Sequence, residues 1–249
     1  MWFILRTCQK NAVRTRIVIV LAVMWSAQAL AMEGVVVLHG LCRSSASMRP
    51  LAAALAAAGY AVENVDYPSR GAGVAVLSED AIGAALRSAR LAGCQRVHFV
   101  THSLGGILVR SYFARHREPR LGRVVMLGPP NQGSEVVDHL KNWRIFQVIN
   151  GPAGGELGTD RDSVPRRLGP VSFELGVIAG DRSINWINSW LIPGSDDGKV
   201  SVASTRVAGM RDHLVVHATH PFLMKNRQVI AATLRFLATG AFLRRKPRP

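Results

Sequence analysis

The feature that most constrains this chain is a rhythm. Short apolar runs rich in β-branched residues alternate with stretches whose apolar residues recur at helical spacing. Val35 to Leu38 is a continuous apolar run, as expected of a strand buried on both faces. Met48, Leu51, Ala52 and Leu55 follow at helical spacing, and Gly59 closes that helix. Tyr60 to Val65 reads as the next strand, and Ser78, Glu79 and Asp80 read as the start of a helix that Gly93 ends. Strands are expected at Val97 to Thr101, Val124 to Leu127, Leu175 to Ala179 and His213 to His217. Helices are expected over Leu104 to Ala114 and around Val229, Ile230, Leu234 and Leu237. Alternating strands and helices imply an α/β fold, a mostly parallel central sheet flanked by helices. In such sheets sites form beyond the carboxyl ends of the strands.

A chain of 249 residues suits one domain with a sizeable core. Residues 1–31 read as a secretory signal: Arg6, Lys10, Arg14 and Arg16 form a basic leader, Ile17 to Trp25 an apolar run, and Ala29-Leu30-Ala31 a small-x-small cleavage pattern. An uncleaved N-terminal anchor is the alternative, and either places the domain outside the cytoplasm, periplasmic or secreted. The domain then spans 32–240, with a basic tail at 241–249. From residue 32 onward 27 Lys and Arg face 16 Asp and Glu, a net +11. The basic residues are scattered and no nucleic-acid motif accompanies them, so no nucleic-acid partner is expected. Cys42 and Cys94 fall at opposite ends of their strands, separated by ~20 Å for a six-residue strand. A disulfide needs Cα atoms within about 7 Å, so two free thiols are expected.

One serine sits where chemistry would use it. In "FVTHSLGG" a strand ends at Thr101, a helix begins at Leu104, and Ser103 occupies the turn between them. Such a turn lifts the hydroxyl above the sheet edge and aims amides of the helix start at the same space. In "VVVLHGLC" a buried strand ends at Leu38, and Gly40 permits a tight turn that aims the Leu41 amide inward. Leu41 and Leu104 are the expected oxyanion donors, and His39 braces the loop.

The base is expected at His220 in "HATHPFLM", after the last strand and before the last helix. His102 is expected to pack at the turn. His213, His217 and His220 fit no metal-ligand spacing, and neither a metal nor a cofactor is expected. The acid should follow the strand ending at Ala179, where Asp181, Asp196 and Asp197 are candidates.

Together these residues resemble the α/β-hydrolase superfamily, and within it the small bacterial lipases and esterases. "LHGL" is similar to the family's oxyanion loop and "THSLGG" to its nucleophile turn, with Thr101 in place of a glycine. "LGPPNQGS" is similar to the "GTPHxGS" segment, with Pro129 for Thr and Asn131-Gln132 for His-x. "DDGKV" is similar to the "DG-x-V" that carries the lipase acid, which ranks Asp197 above Asp181. "THPFLM" occupies the place of the catalytic histidine. The resemblance implies a Ser103–Asp197–His220 triad that cleaves carboxylic esters through an acyl-enzyme.

Substrate clues lie elsewhere. "INWINSWLIPG", Ile184 to Gly194, either packs in the core or, with the Phe146 region, walls an acyl chain or meets lipid at a membrane surface. Residues 134–170, rich in Gly and Pro, are read either as a flexible surface excursion or as a cap-like or lid-like insertion after the strand ending near Leu127, with "VVDHLKNWRIF" as one short amphipathic helix. A lipid-like ester is the favoured substrate. Acyl transfer, hydrolysis of a non-lipid ester or amide, and a non-catalytic binding protein of the same fold are the alternatives.

Overall fold

The computed structural model describes residues 32–183 and 192–242. The expected leader, residues 184–191 of the tryptophan-rich stretch and residues 243–249 of the tail lie outside them. Among the described residues, strands β1 (Glu33–Leu38), β2 (Ala61–Val65), β3 (Arg96–His102), β4 (Leu121–Leu127), β5 (Leu175–Gly180) and β6 (Asp212–Val216) form one sheet. Its order is β2-β1-β3-β4-β5-β6, and every neighbouring pair is parallel. The α-helices are α1 (Arg49–Ala57), α2 (Val74–Leu86), α3 (Leu104–Phe113), α4 (Glu135–Leu140), α5 (Arg144–Gly155), α6 (Val164–Arg167) and α7 (Arg227–Thr239).

Successive strand residues point to opposite faces, so the central strands feed two cores. Val36, Leu38, Phe99 and Val124 pack with Leu77 and Ile82 of α2 and Ile107 and Leu108 of α3. Val35, Val37, Val100 and Val125 pack with Leu51 and Leu55 of α1 and Val229 and Phe236 of α7. Each fully buried Val, Leu, Ile or Phe contributes about 1.5–3 kcal/mol relative to exposure. This two-sided burial is why the strands read as unbroken apolar runs. From β1 the chain goes to β2 on one side and returns to β3 on the other. That reversal opens a crevice above the carboxyl ends of β1 and β3, where Leu41 and Ser103 lie in sequence.

Several helix boundaries differ from expectation. Helix α2 begins at Val74, four residues before Ser78, because Glu156 of the insertion accepts the Val74 amide at 2.8 Å. Ser78 is an interior residue whose hydroxyl donates to Ala75 O instead. The helix ends at Leu86, and a separate 3₁₀ turn, Ala89–Leu91, buries Leu91 against the core before Gly93. "VVDHLKNWRIF" is two helices, α4 and α5, split where Trp143 takes extended backbone (φ −81°, ψ 124°). Helix α5 itself kinks at Gly151-Pro152. Cys42 and Cys94 are both free thiols, one exposed and one buried.

Candidate active site

Strand β3 ends at His102 and α3 begins at Leu104, leaving Ser103 as the whole turn. Its backbone sits at φ 53°, ψ −118°. A non-glycine residue there carries strain of about 1–3 kcal/mol, which persists only when the surroundings impose it. They do so through the Ser103 amide, which donates to Leu127 O of β4 at 2.8 Å, and through the Gly106 amide, which returns to Ser103 O at 3.0 Å. Leu104, the first helical residue, has an amide with no intrahelical acceptor.

The loop after β1 passes directly over this turn. A Cβ built on Gly40 would lie 2.7 Å from His102 Nδ1 and 3.1 Å from Ser103 Cβ. Only glycine at 40 lets the loop lie so close over the serine turn. His39 anchors the loop from below. It is fully buried and stacks on Tyr67 with ring centroids 4.1 Å apart, and Tyr67 Oη donates to His39 O at 2.6 Å.

Beyond β5 and β6 the chain brings Asp197 to His220. His220 Nδ1–H donates to Asp197 Oδ2 at 2.7 Å, and the His220 amide donates to Asp197 O at 2.9 Å. Asp197 Oδ1 accepts the amides of Lys199 and Val200 at 3.1 and 3.0 Å. The carboxylate is fully buried, so these donors replace its hydration shell. With Nδ1 engaged, Nε2 is the imidazole nitrogen left to handle a proton. The other candidate acids lie elsewhere: Asp181 meets His217 at 3.0 Å, and Asp196 Oδ1 accepts the Gly198 amide at 2.7 Å. His213 is held by Thr205 Oγ1 at 2.9 Å.

Gly128 was not singled out from the sequence, although it stands between an apolar strand and two prolines. Its φ is 55°, and a Cβ there would lie 3.0 Å from Asp197 Oδ2 and 3.1 Å from His220 Nδ1. Gly128→Ala is expected to push the carboxylate and imidazole apart and to cost about 1–3 kcal/mol in backbone strain besides. Activity should fall by at least tenfold in protein that still melts cooperatively; full activity would show that the pair tolerates displacement.

His102 does pack at the turn. It is buried, and its Nε2–H donates to His220 O at 3.0 Å. Burial, with neighbouring positive charge second, holds His102 well below the usual imidazole range. Burial likewise lowers His39 and His98, and takes His213 down to about 4. These four imidazoles are neutral in the fold but bind protons near pH 6.5 when unfolded. The unfolded chain therefore holds more protons below pH 6.5, and stability is lost as pH falls from 6.5 toward 4. Urea midpoints measured from pH 7.5 to 4.5 should decline, and His213→Gln should flatten the decline.

Ser103, His220, Asp197 and Leu41 line one cavity of about 500 Å³. The insertion supplies its apolar wall through Val136, Val137, Phe146 and Leu157. A buried arginine in α3, also missed from the sequence, ties α3 to the chain after β4, to α6 and to Gly169 just beyond it. Arg110 donates to Asn131 O (2.9 Å), Asn131 Oδ1 (3.2 Å), Pro165 O (3.0 Å) and Gly169 O (2.7 Å). Asn131 also donates from Nδ2 to Thr205 O at 2.8 Å. Burial lowers Arg110 to about 10, which leaves it charged at neutral pH.

A parallel sheet of this order, with a serine turn and a carboxylate–imidazole pair above its switch point, is the architecture of the α/β hydrolases. The model of the alpha/beta hydrolase family matches residues 35–233, and the chain belongs to that family. Comparison with curated protein sequences finds no match. Among solved structures it is similar to the mature form of a Bacillus licheniformis lipase, at 22% identity and a TM-score of 0.66, over 84% of this chain and 93% of that one. It is also similar to a metagenomic carboxyl esterase, at 18% identity and a TM-score of 0.59, over 78% and 65% of the two chains. Phospholipase PlaB from Legionella pneumophila has 20% identity and a TM-score of 0.56, over 70% of this chain and 46% of that one. The chain thus spans about half the length of that phospholipase, and 53% of the Bacillus lipase in its propeptide form. At these identities the likeness is one of fold.

Proposed function

We propose that the protein hydrolyses carboxylic esters with Ser103 as nucleophile, His220 as base and Asp197 as its orienting acid. The observation that carries this is the buried Asp197–His220 hydrogen bond on the wall of the cavity that also exposes the strained Ser103 turn. His220 Nε2 takes the proton as Ser103 Oγ attacks the carbonyl carbon, while the Leu41 and Leu104 amides hold the developing oxyanion. His220 then protonates the leaving alcohol. Water, deprotonated by His220, releases the acyl group by the reverse route. The test is labelling by a fluorophosphonate: wild type is expected to label and Ser103→Ala not to. Labelling that survives the substitution would remove Ser103 from the mechanism.

The apolar wall of the insertion supports a lipid-like acyl chain as the group bound there. Trp143, Ile145, Val148 and Ile149 project from the insertion into solvent and support contact of this face with a lipid surface. Across p-nitrophenyl acetate, propionate and butyrate, kcat/KM should rise about fourfold per methylene, the worth of ~0.8 kcal/mol of buried CH₂. A flat series would detach the wall from acyl binding. Acyl transfer uses the same groups with an alcohol in place of water, so product analysis in an added alcohol separates the two. The basic leader and Ala29-Leu30-Ala31 support export; the N-terminal residue of protein recovered outside the cytoplasm tests it.

A further inference from the structure

Besides its apolar wall, the cavity carries two cations, Arg43 and Lys199. Arg43 lies two residues beyond Leu41 on the loop after β1, and Lys199 two residues beyond Asp197. All sixteen acidic residues of the chain fall within the described residues, and none forms an ion pair with either cation. Other half-buried or buried guanidiniums here are matched. Arg110 has carbonyl and amide oxygens, Arg120 has Glu118 at 2.8 Å, and Arg123 has Glu174 at 3.0 Å. Arg43 is drawn partly out of water with, among the described residues, neither a carboxylate nor the ring of carbonyl acceptors that Arg110 has, and this desolvation lowers its pKa. Nothing on the cavity wall offers it one. Asp197 has both oxygens engaged by His220 and two amides, and His102 is a neutral imidazole held to His220 O. The result is a pocket with an apolar side and an uncompensated positive side.

We propose that Arg43 and Lys199 form an anion subsite, and that the ester cleaved at Ser103 carries a phosphate group in its non-reacting part. This rests on the ester-hydrolase reading. A planar guanidinium donates two parallel hydrogen bonds to phosphate oxygens, and an ammonium adds a point charge. Two cations match the charge of about −1.5 to −2 on a phosphate monoester near pH 7.

Binding tests this without turnover. A short-chain dialkyl-ether glycerophosphate, used as a monomer, has no acyl bond to cleave, and the matching dialkyl-ether glycerol is its uncharged control. By calorimetry on wild type in 50 mM salt, the phosphate compound should bind at least tenfold more tightly than the control, and the preference should shrink as salt rises. Arg43→Gln and Lys199→Gln should each reduce that ratio about tenfold. Equal affinity for the two ethers, or a ratio that survives the double substitution, overturns the subsite. Inorganic phosphate binding as tightly as the glycerophosphate would make this a site for the free anion and overturn its assignment to substrate. Hydrolysis of p-nitrophenyl butyrate, run alongside, separates the two claims. Hydrolysis without anion preference sinks the subsite alone. Anion preference without hydrolysis sinks the esterase reading and with it the assignment of the phosphate to a cleaved ester, leaving only the anion subsite.

Discussion

Ser103→Ala will lose about 10⁶ in kcat on p-nitrophenyl butyrate and keep its melting temperature. On the proposed mechanism Ser103 forms the acyl-enzyme, and nucleophile deletions in serine hydrolases cost this much because the remaining triad members cannot act without it. A residue of about 10³–10⁴ over water should persist if the Leu41 and Leu104 amides still polarise the carbonyl. The stability expectation is separate. Alanine keeps a Cβ at φ 53°, so it inherits the backbone strain. Glycine does not, and Ser103→Gly should melt higher than Ser103→Ala while being equally inactive, its gain offset in part by glycine's larger chain entropy. Steady-state rates and thermal melts of the two variants check both halves. More than 1% of wild-type activity in either would mean that another group attacks the ester.

Positions of the strands, and the places of the candidate site residues after them, were legible from the chain because both follow from local pattern. Val35 to Leu38 and Val97 to Thr101 read as strands since each is buried on both faces. Ser103, Leu41 and His220 follow strands, where the topology of an α/β sheet puts ligands. What escaped depends on partners distant in sequence. The start of α2 is set by Glu156, 82 residues away, so a local search for a cap found Ser78 instead. Arg110 reads as one more helical arginine until backbone carbonyls of Asn131, Pro165 and Gly169 converge on it. Gly128 reads as a strand terminator, and its need for a missing side chain appears only once Asp197 and His220 meet above it. Among Asp181, Asp196 and Asp197, spacing alone left the choice open, because all three follow β5 and only the meeting with His220, 23 residues further on, sets Asp197 apart.

That last distinction yields the second large effect. Asp197→Asn should lower kcat about 10⁴-fold, the cost of the wrong imidazole tautomer. Asp197 Oδ1 accepts two backbone amides, so an asparagine there keeps its carbonyl oxygen at that position and turns its NH₂ toward His220. Nδ1 must then accept a hydrogen bond rather than donate one. The ring proton moves to Nε2, and the nitrogen needed to take the Ser103 proton no longer has a free lone pair. Burial should keep the fold from relaxing around the change, since the carboxylate is wholly shielded from solvent and its neighbours are packed. Asp181→Asn is the control. Its partner His217 is 73% exposed, and an ion pair at such a surface is worth at most about 1 kcal/mol and does not face the cavity residues. Its kcat should stay within twofold of wild type. Rates for both variants on one p-nitrophenyl ester decide the matter: an active Asp197→Asn beside a crippled Asp181→Asn would transfer the acid's role to Asp181 and leave the buried pair a structural one.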